Sequence, residues 1–165
     1  MNTENRVSPQ APEIEEAIIG ACLIEQRAIP LIADKLRPEM FYVLRHQLIA
    51  SLRSIYDLEA FGALAAILAM YHAGMKIDIL TVKEELAHRG KLEEAGGAFG
   101  ITQLSSKVAT SAHIECHMQI VHEKYLRREM TLGFNKLLAC SLDETMDIDD
   151  SLMDAHNLLD RLEGE

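Results

Sequence analysis

Apolar residues that recur every three or four positions run through most of this 165-residue chain, and this spacing constrains its fold more than any other feature. Such spacing places apolar side chains along one face of an α-helix. Only the stretch 76–82 (KIDILTV) alternates in the manner of a β-strand, and it is short. The pattern predicts an all-α protein that begins with a flexible polar arm over 1–11.

Helix start and stop signals divide the region after the arm into short helices. Thr81 and Glu84 have the spacing of a capping box, in which side chains satisfy the free N–H groups of a first helical turn. Gly90 suits the left-handed position just after a helix. We therefore predict a small globular helical bundle over 12–106.

The C-terminal third has a different pattern, with two long helices predicted near 112–139 and 148–162. Apolar residues on each follow the spacing i, i+4, i+7 and i+11, which gives Ile114, Met118, Val121 and Tyr125 on the first and Ile148, Leu152, Ala155, Leu159 and Leu162 on the second. Two such helices joined by a short loop form an antiparallel hairpin. We assign 107–165 to a linker and this hairpin.

A hairpin has one seam and little else to bury, yet further apolar residues remain on its helices. This excess predicts that the hairpin packs against another chain. The predicted seam or interface residues are Ile114, Met118, Val121, Tyr125, Phe134, Leu137, Leu152 and Leu159.

Charge is distributed unevenly within a formal net charge of −10. Residues 143–165 hold nine acidic side chains and only one basic side chain, Arg161. The preceding long helix carries Lys124, Arg127, Arg128 and Lys136, so part of the acidic charge is expected to pair within the hairpin. The acidic balance disfavours direct DNA binding, because that affinity comes largely from Lys and Arg at phosphates.

Motifs for catalysis are absent from the sequence. No G-x-x-x-x-G-K-[ST] phosphate loop occurs, and no nucleophile or acid–base pair stands out. Three scattered cysteines favour a reducing cytoplasm, and the longest apolar run, 60–71, is well short of the roughly 20 residues that span a bilayer. We therefore expect a cytoplasmic chain without membrane attachment, cofactor or enzymatic activity.

One cluster of metal-binding residue types forms the exception: His113, Cys116, His117 and His122. His113 and His117 lie four residues apart on a helix and could share an ion. A solvated helix face explains the same residues. A small metal-dependent enzyme using His113, His117 and His122 stays open as an alternative.

Several segments, taken together and in order, resemble the N-terminal domain of DnaB-type replicative DNA helicases. They cover nearly the whole chain: 9–20 (PQAPEIEEAIIG), 37–42 (RPEMFY), 46–49 (HQLI), 77–82 (IDILTV), 85–86 (EL), 89–94 (RGKLEE), 96–97 (GG) and 111–115 (SAHIE). The resemblance implies a helical bundle followed by a hairpin whose pairs build a collar on a hexameric helicase. It also implies contacts with primase and, in some systems, with the helicase loader.

The ATPase motor of that family lies C-terminal to the hairpin, so the resemblance implies a non-catalytic collar domain without its motor. The chain is then either an excised domain or a stand-alone relative. A free-standing collar mimic that regulates a helicase or primase is the alternative function.

One departure from the family lies near 51–64, where this sequence is about 14 residues longer. The stretches 49–56 (IASLRSIY) and 64–71 (LAAILAMY) resemble each other there, which fits either a duplication or a chance match between apolar helices.

Overall fold

The structure is a computed structural model that describes residues 8–43, 63–108, 110–143 and 145–164. Within these ranges the chain forms seven α-helices and no β-strand. They are α1 (Pro12–Ile24), α2 (Ile29–Ile32), α3 (Ala63–His72), α4 (Ile79–His88), α5 (Gly97–Ser106), α6 (Ile114–Leu142) and α7 (Ile148–Glu163).

Contacts divide the chain into two compact units, and the division falls inside the long helix α6. The bundle unit comprises Gln10–His122, and the hairpin unit comprises Glu123–Glu165 with Met1–Pro9. The predicted boundaries at 11 and 106 stay predictions. The predicted extra segment near 51–64 lies outside the described residues, apart from its last two positions, which begin α3.

The bundle unit forms around α1, which packs against α3 and α5, while α4 packs against both α3 and α5. Proline begins α1, where its missing N–H costs no helical hydrogen bond. The side chains that meet in the core are fully buried and largely aliphatic: Ile18, Ile19, Ile29, Ile32, Leu36, Phe41, Leu64, Ile67, Leu86 and Ile101. These side chains form the apolar core of the bundle unit.

Close helix packing depends on Gly20, because a methyl group at this position would overlap the carbonyl oxygen of Leu104 on α5. A buried carboxylate on the same helix holds the segment that follows the single 3-10 turn over Pro38–Met40. Glu15 accepts hydrogen bonds from the backbone N–H groups of Tyr42 at 2.7 Å and Val43 at 3.2 Å. The helix α1 is therefore the central element of the unit.

The start of α4 differs from the sequence prediction. Asp78, and not Thr81, is the N-cap: its Oδ1 accepts from the backbone N–H groups of Leu80 at 2.8 Å and Thr81 at 2.9 Å. Thr81 Oγ1 completes the capping box by accepting from the Asp78 N–H, so Glu84 takes no part in the box. The strand-like alternation at 76–82 is overridden by this cap. Gly90 has the expected left-handed backbone, with a φ of 67°.

The hairpin unit contains the greater part of α6 and all of α7. Asp147 begins α7 by accepting a hydrogen bond from the Asp149 N–H at 2.9 Å. None of the helices in the described part of the chain is both long and apolar enough to cross a membrane.

Candidate functional site

The two helices of the hairpin meet where a glycine faces a leucine. Leu158 of α7 packs directly on Gly133 of α6, so closely that a methyl group on Gly133 would overlap the leucine side chain. Leu158 is the buried apolar residue of α7, with 6% of its surface exposed. Sequence reasoning missed both residues, although a glycine inside a long helix often marks a close approach of two backbones.

Two ion pairs flank this contact and fix the register of the helices. Lys136 Nζ lies 3.2 Å from Asp154 Oδ2, and Arg161 Nη2 lies 3.7 Å from Glu129 Oε2. The pair of Lys136 with Asp154 agrees with the expectation that acidic charge on α7 is balanced by the basic residues of α6. In the second pair the charges are the other way round, since Glu129 lies on α6 and Arg161 on α7. Each contributes little to stability, because Lys136, Asp154 and Arg161 are exposed to solvent and Glu129 is only half-buried.

The neighbouring positions form an apolar surface on one side of the hairpin. On α6, Met130 comes one position after Glu129 and Phe134 one position after Gly133, and both Glu129 and Gly133 contact α7. On α7, Leu159 comes one position after Leu158, which contacts α6. One residue turns an α-helix by about 100°, and in antiparallel helices that step leads to the same side of the pair. We call this surface the hairpin face and define it as Met130, Phe134, Leu137, Ile148, Leu152 and Leu159.

The hairpin face is open to solvent in the single chain. Leu152 is 62% exposed, Leu159 47% and Phe134 44%. Exposed apolar patches of this kind mark interaction sites on soluble proteins. On α6 the surface continues as an open cavity of about 620 Å³ beside Pro9, Leu126 and Met130.

The predicted seam or interface residues separate into three groups. Phe134, Leu137, Leu152 and Leu159 lie on the hairpin face. Ile114 and Val121 are buried in the bundle unit and Met118 is half-buried there, so these three contribute to that unit. Tyr125 is half-buried in the hairpin unit, with the guanidinium carbon of Arg128 at 5.9 Å from its ring centroid.

The residues of α7 that the sequence predicted for the seam do not make its closest contact with α6. Ile148, Leu152 and Leu159 face solvent, and the contact with α6 runs through Leu158 on the adjacent stripe. Both stripes have helical spacing, so the sequence periodicity alone does not distinguish them.

A polar contact within the bundle unit joins the end of α1 to the segment just before α6. Glu25, at the end of α1, accepts hydrogen bonds from the Ser111 hydroxyl and from the Ser111 N–H, the latter at 3.3 Å. The Ser111 hydroxyl and then Arg27 hold the pKa of the Glu25 carboxyl below its ordinary value. These hydrogen bonds hold residues 25 and 111 together within the bundle unit.

The histidine cluster does not form a metal centre among the residues that the structure describes, where no group of three or more His, Cys, Asp or Glu side chains is arranged to hold an ion. The rings of His113 and His117 lie 6.4 Å apart between centroids and are tilted by 53° to each other. Nε2 of His122 is buried without a hydrogen-bond partner.

One of the three cysteines, Cys22, is a free thiol buried in the core of the bundle unit. Burial raises the pKa of the Cys22 thiol to about 12, which keeps it protonated and unreactive. Cys116 and Cys140 are also free thiols. The site with the clearest physical character is therefore the hairpin face.

Comparison with known proteins assigns the family. Residues 7–123 match the DnaB-like helicase N terminal domain. The chain is 38% identical over 163 residues to the replicative DNA helicase DnaB of Rhodothermus marinus, which covers 97% of this chain and 15% of that protein. It is 30% identical to the replicative DNA helicase DnaC of Bacillus subtilis (strain 168), over 94% of this chain and 31% of the relative.

Solved structures agree with these sequence matches. The crystal structure of the N-terminal domain of DnaB helicase from Mycobacterium tuberculosis has a TM-score of 0.76 and 30% identity, covering 92% of this chain and 97% of that one. A DnaB-like replicative helicase whose structure was described with its interactions with primase has a TM-score of 0.67 at 19% identity, covering 92% of this chain and 31% of that one, and this second likeness shows the fold alone.

The chain therefore belongs to the DnaB-like helicase N-terminal domain family. This confirms both the resemblance and the all-α fold predicted from the sequence. The chain spans 15% and 31% of the lengths of the two curated relatives described above.

Proposed function

We propose that this chain is a non-catalytic assembly and docking domain of a hexameric replicative DNA helicase. It pairs with a second copy through the hairpin face, takes part in a collar ring in the full-length protein, and binds primase. The observation that supports this most directly is the hairpin face itself, an apolar surface exposed on a helix pair that has only one buried leucine on α7.

Self-pairing follows from the energetics of this surface. Burying apolar area is worth about 25 cal/mol per Å², before the cost of association is subtracted. The large side chains of Leu152, Leu159 and Phe134 face water in the single chain. Their burial against a second copy would therefore gain this free energy. A second hairpin offers a surface of the same composition and length.

Primase binding is supported by the family and by one structural neighbour, the DnaB-like replicative helicase that was described together with its interactions with primase. We extend this partner to the present chain, together with the helicase loader of systems that use one. The ATP-dependent motor lies outside this chain in the proposed full-length protein, which works in the cytoplasm. DNA is contacted by the motor, since the chain itself carries a net charge of −10.

Binding to the primase of the same organism tests the docking role. We expect titration calorimetry and co-elution on a sizing column to report a complex between primase and the wild-type chain. A matched titration with bovine serum albumin controls for binding through the exposed apolar surface. A chain that stays a strict monomer at high concentration and does not bind primase would overturn the proposal.

A further inference from the structure

An open groove on α6 lies close to the point where the described part of the chain begins. Pro9 lines this groove together with residues of α6, and all of them belong to the hairpin unit. We propose that the N-terminal segment 1–7 binds in the groove through Val7 and competes there with a second copy for Met130 and Phe134. The competition rests on the proposed self-pairing, whereas the binding of segment 1–7 does not.

The apolar part of the groove is a single stripe of α6. Leu126, Met130 and Phe134 follow one another at intervals of four residues, which places them along one side of the helix. The groove has a volume of about 620 Å³. This value lies within the roughly 300–1,000 Å³ of pockets that enclose a small ligand. Even with Pro9 beside them, Met130 and Phe134 are 42% and 44% exposed, so the stripe has room for a further apolar side chain.

A hydrogen bond ties the backbone at Pro9 to α6. Nη1 of Arg128 donates to the Pro9 carbonyl oxygen at 3.0 Å, and the guanidinium carbon lies 5.9 Å from the centroid of the Tyr125 ring. Residue 7 is two positions from this anchor, and two residues of extended chain span at most about 7 Å. The anchor therefore keeps Val7 within reach of the groove.

The exposure of the first described residues indicates which side chain of the segment turns toward the groove. Ser8 is exposed, whereas Pro9 is half-buried and lines the groove. A residue before proline favours extended conformations, in which successive side chains point to opposite sides. This alternation would turn Val7 to the same side as Pro9. Val7 is also the one apolar residue within 2–7, so it is the side chain that an apolar groove would select.

Tethering favours segment 1–7 over a separate molecule as the occupant. A binding group on a short linker has an effective concentration in the millimolar range, far above that of a second copy in dilute solution. A second copy that covers Met130 and Phe134 must displace the segment. Its apparent affinity is then reduced in proportion to the fraction of chains whose groove is open. The segment would thus raise the concentration at which hairpins pair.

Tryptophan fluorescence tests the binding of segment 1–7, because the chain contains no tryptophan of its own. We expect Val7→Trp to emit at shorter wavelength and to be quenched less by acrylamide than Ser8→Trp, the matched control at the exposed neighbouring position. Both are measured in dilute solution with Leu152→Ser added, which should weaken the pairing of hairpins. A further Phe134→Ser substitution removes part of the groove and should bring the two emission spectra together.

Sedimentation equilibrium of the whole chain tests the competition without a tryptophan. We expect Val7→Asp to strengthen self-association by roughly three- to ten-fold, because a charged side chain is not buried in an apolar groove and the groove is then open. Ser8→Asp adds the same charge at the exposed position and should leave the association unchanged.

The possible outcomes separate the binding of the segment from the self-pairing. Equal emission and quenching of the two tryptophan variants, or no response to Phe134→Ser, would overturn the proposal. A shift that grows with protein concentration would also overturn it, since the segment would then bind a second copy. Unchanged or weaker association of Val7→Asp would contradict the competition. A chain that stays monomeric in every variant contradicts the proposed function, while the fluorescence measurement still decides whether the segment binds the groove.

Discussion

The bundle unit and the hairpin unit handle apolar residues in opposite ways. In the bundle unit α1 is surrounded by other helices, and Ile18, Ile67 and Ile101 are completely buried. In the hairpin unit Leu158 is buried, while Leu152 and Leu142 are 62% and 75% exposed. The helices of both units follow the same apolar spacing in sequence.

The difference indicates which unit encloses its own apolar side chains and which unit leaves them exposed to water. The bundle unit has enough helices to enclose its core, because α1 contacts α3 and α5 and these contact α4. Two helices alone enclose only one seam. The remaining apolar stripes of the hairpin unit are therefore available for another chain, and substitutions in the two units should affect different measurements.

The largest expected effect is a core substitution in the bundle unit. Ile101→Ala should lower the free energy of unfolding by about 2–5 kcal/mol, because it leaves a cavity where the side chain is fully buried. Leu152→Ala in the hairpin unit, where the side chain faces water, should change the unfolding of the dilute chain by less than about 0.5 kcal/mol. Urea denaturation followed by circular dichroism measures both. Equal losses from the two substitutions would contradict the comparison.

Substitutions of glycine by alanine in the two units should also differ in the stability they cost, but by less than the core substitutions do. Gly20→Ala sets a methyl group against the backbone carbonyl of Leu104, which can move only with its helix, and should cost about 1–3 kcal/mol. Gly133→Ala meets the end of the Leu158 side chain, which can rotate away, so its cost should be lower. Thermal melting of the two variants gives the order. A larger loss for Gly133→Ala would mean that the hairpin contact is the more rigid of the two.

The smallest expected effect concerns acid stability. The pKa of Glu25 is held below its ordinary value of 4.5 by the Ser111 hydroxyl and then by Arg27, so the folded state favours the ionised form. This contribution is present above pH 4.5 and is lost as the pH falls below it toward the lowered folded-state pKa.

Glu25→Gln should therefore lose stability at neutral pH and show a shallower decline in acid than the wild type. Asp143→Asn is the matched change in the hairpin unit, since a local hydrogen bond from Thr145 lowers the pKa of Asp143. Its effect should be smaller because it joins no distant segments. Urea unfolding across an acid pH series measures both variants. An unchanged pH dependence for Glu25→Gln would show that the hydrogen bonds from Ser111 to Glu25 do not contribute to acid stability.

Elements whose signals lie among neighbouring residues can be predicted from the sequence alone. Apolar spacing predicts the all-α class and the two helices of the hairpin, and Gly90 predicts the end of α4. The cap of α4 is harder to place, because Asp78 and Thr81, three residues apart, are both good candidates by residue type. Asp78 takes the role because its carboxylate reaches two backbone N–H groups.

Contacts between helices are harder to predict. The repeat through Leu152 and Leu159 and the stripe through Leu158 are neighbours on α7, and both have helical spacing. Which one turns toward α6 depends on Gly133, where the absence of a side chain lets Leu158 approach. The hairpin face is therefore a consequence of packing that periodicity does not specify.

Sedimentation equilibrium of the wild-type chain over a wide concentration range tests the central claim, that the hairpin face is an interface. We expect concentration-dependent self-association that Leu152→Ser weakens strongly. Phe99→Ser should leave it unchanged, although Phe99 in the bundle unit is more exposed than Leu152, at 78% against 62%. A monomer at every concentration, or equal weakening by both substitutions, would contradict the account.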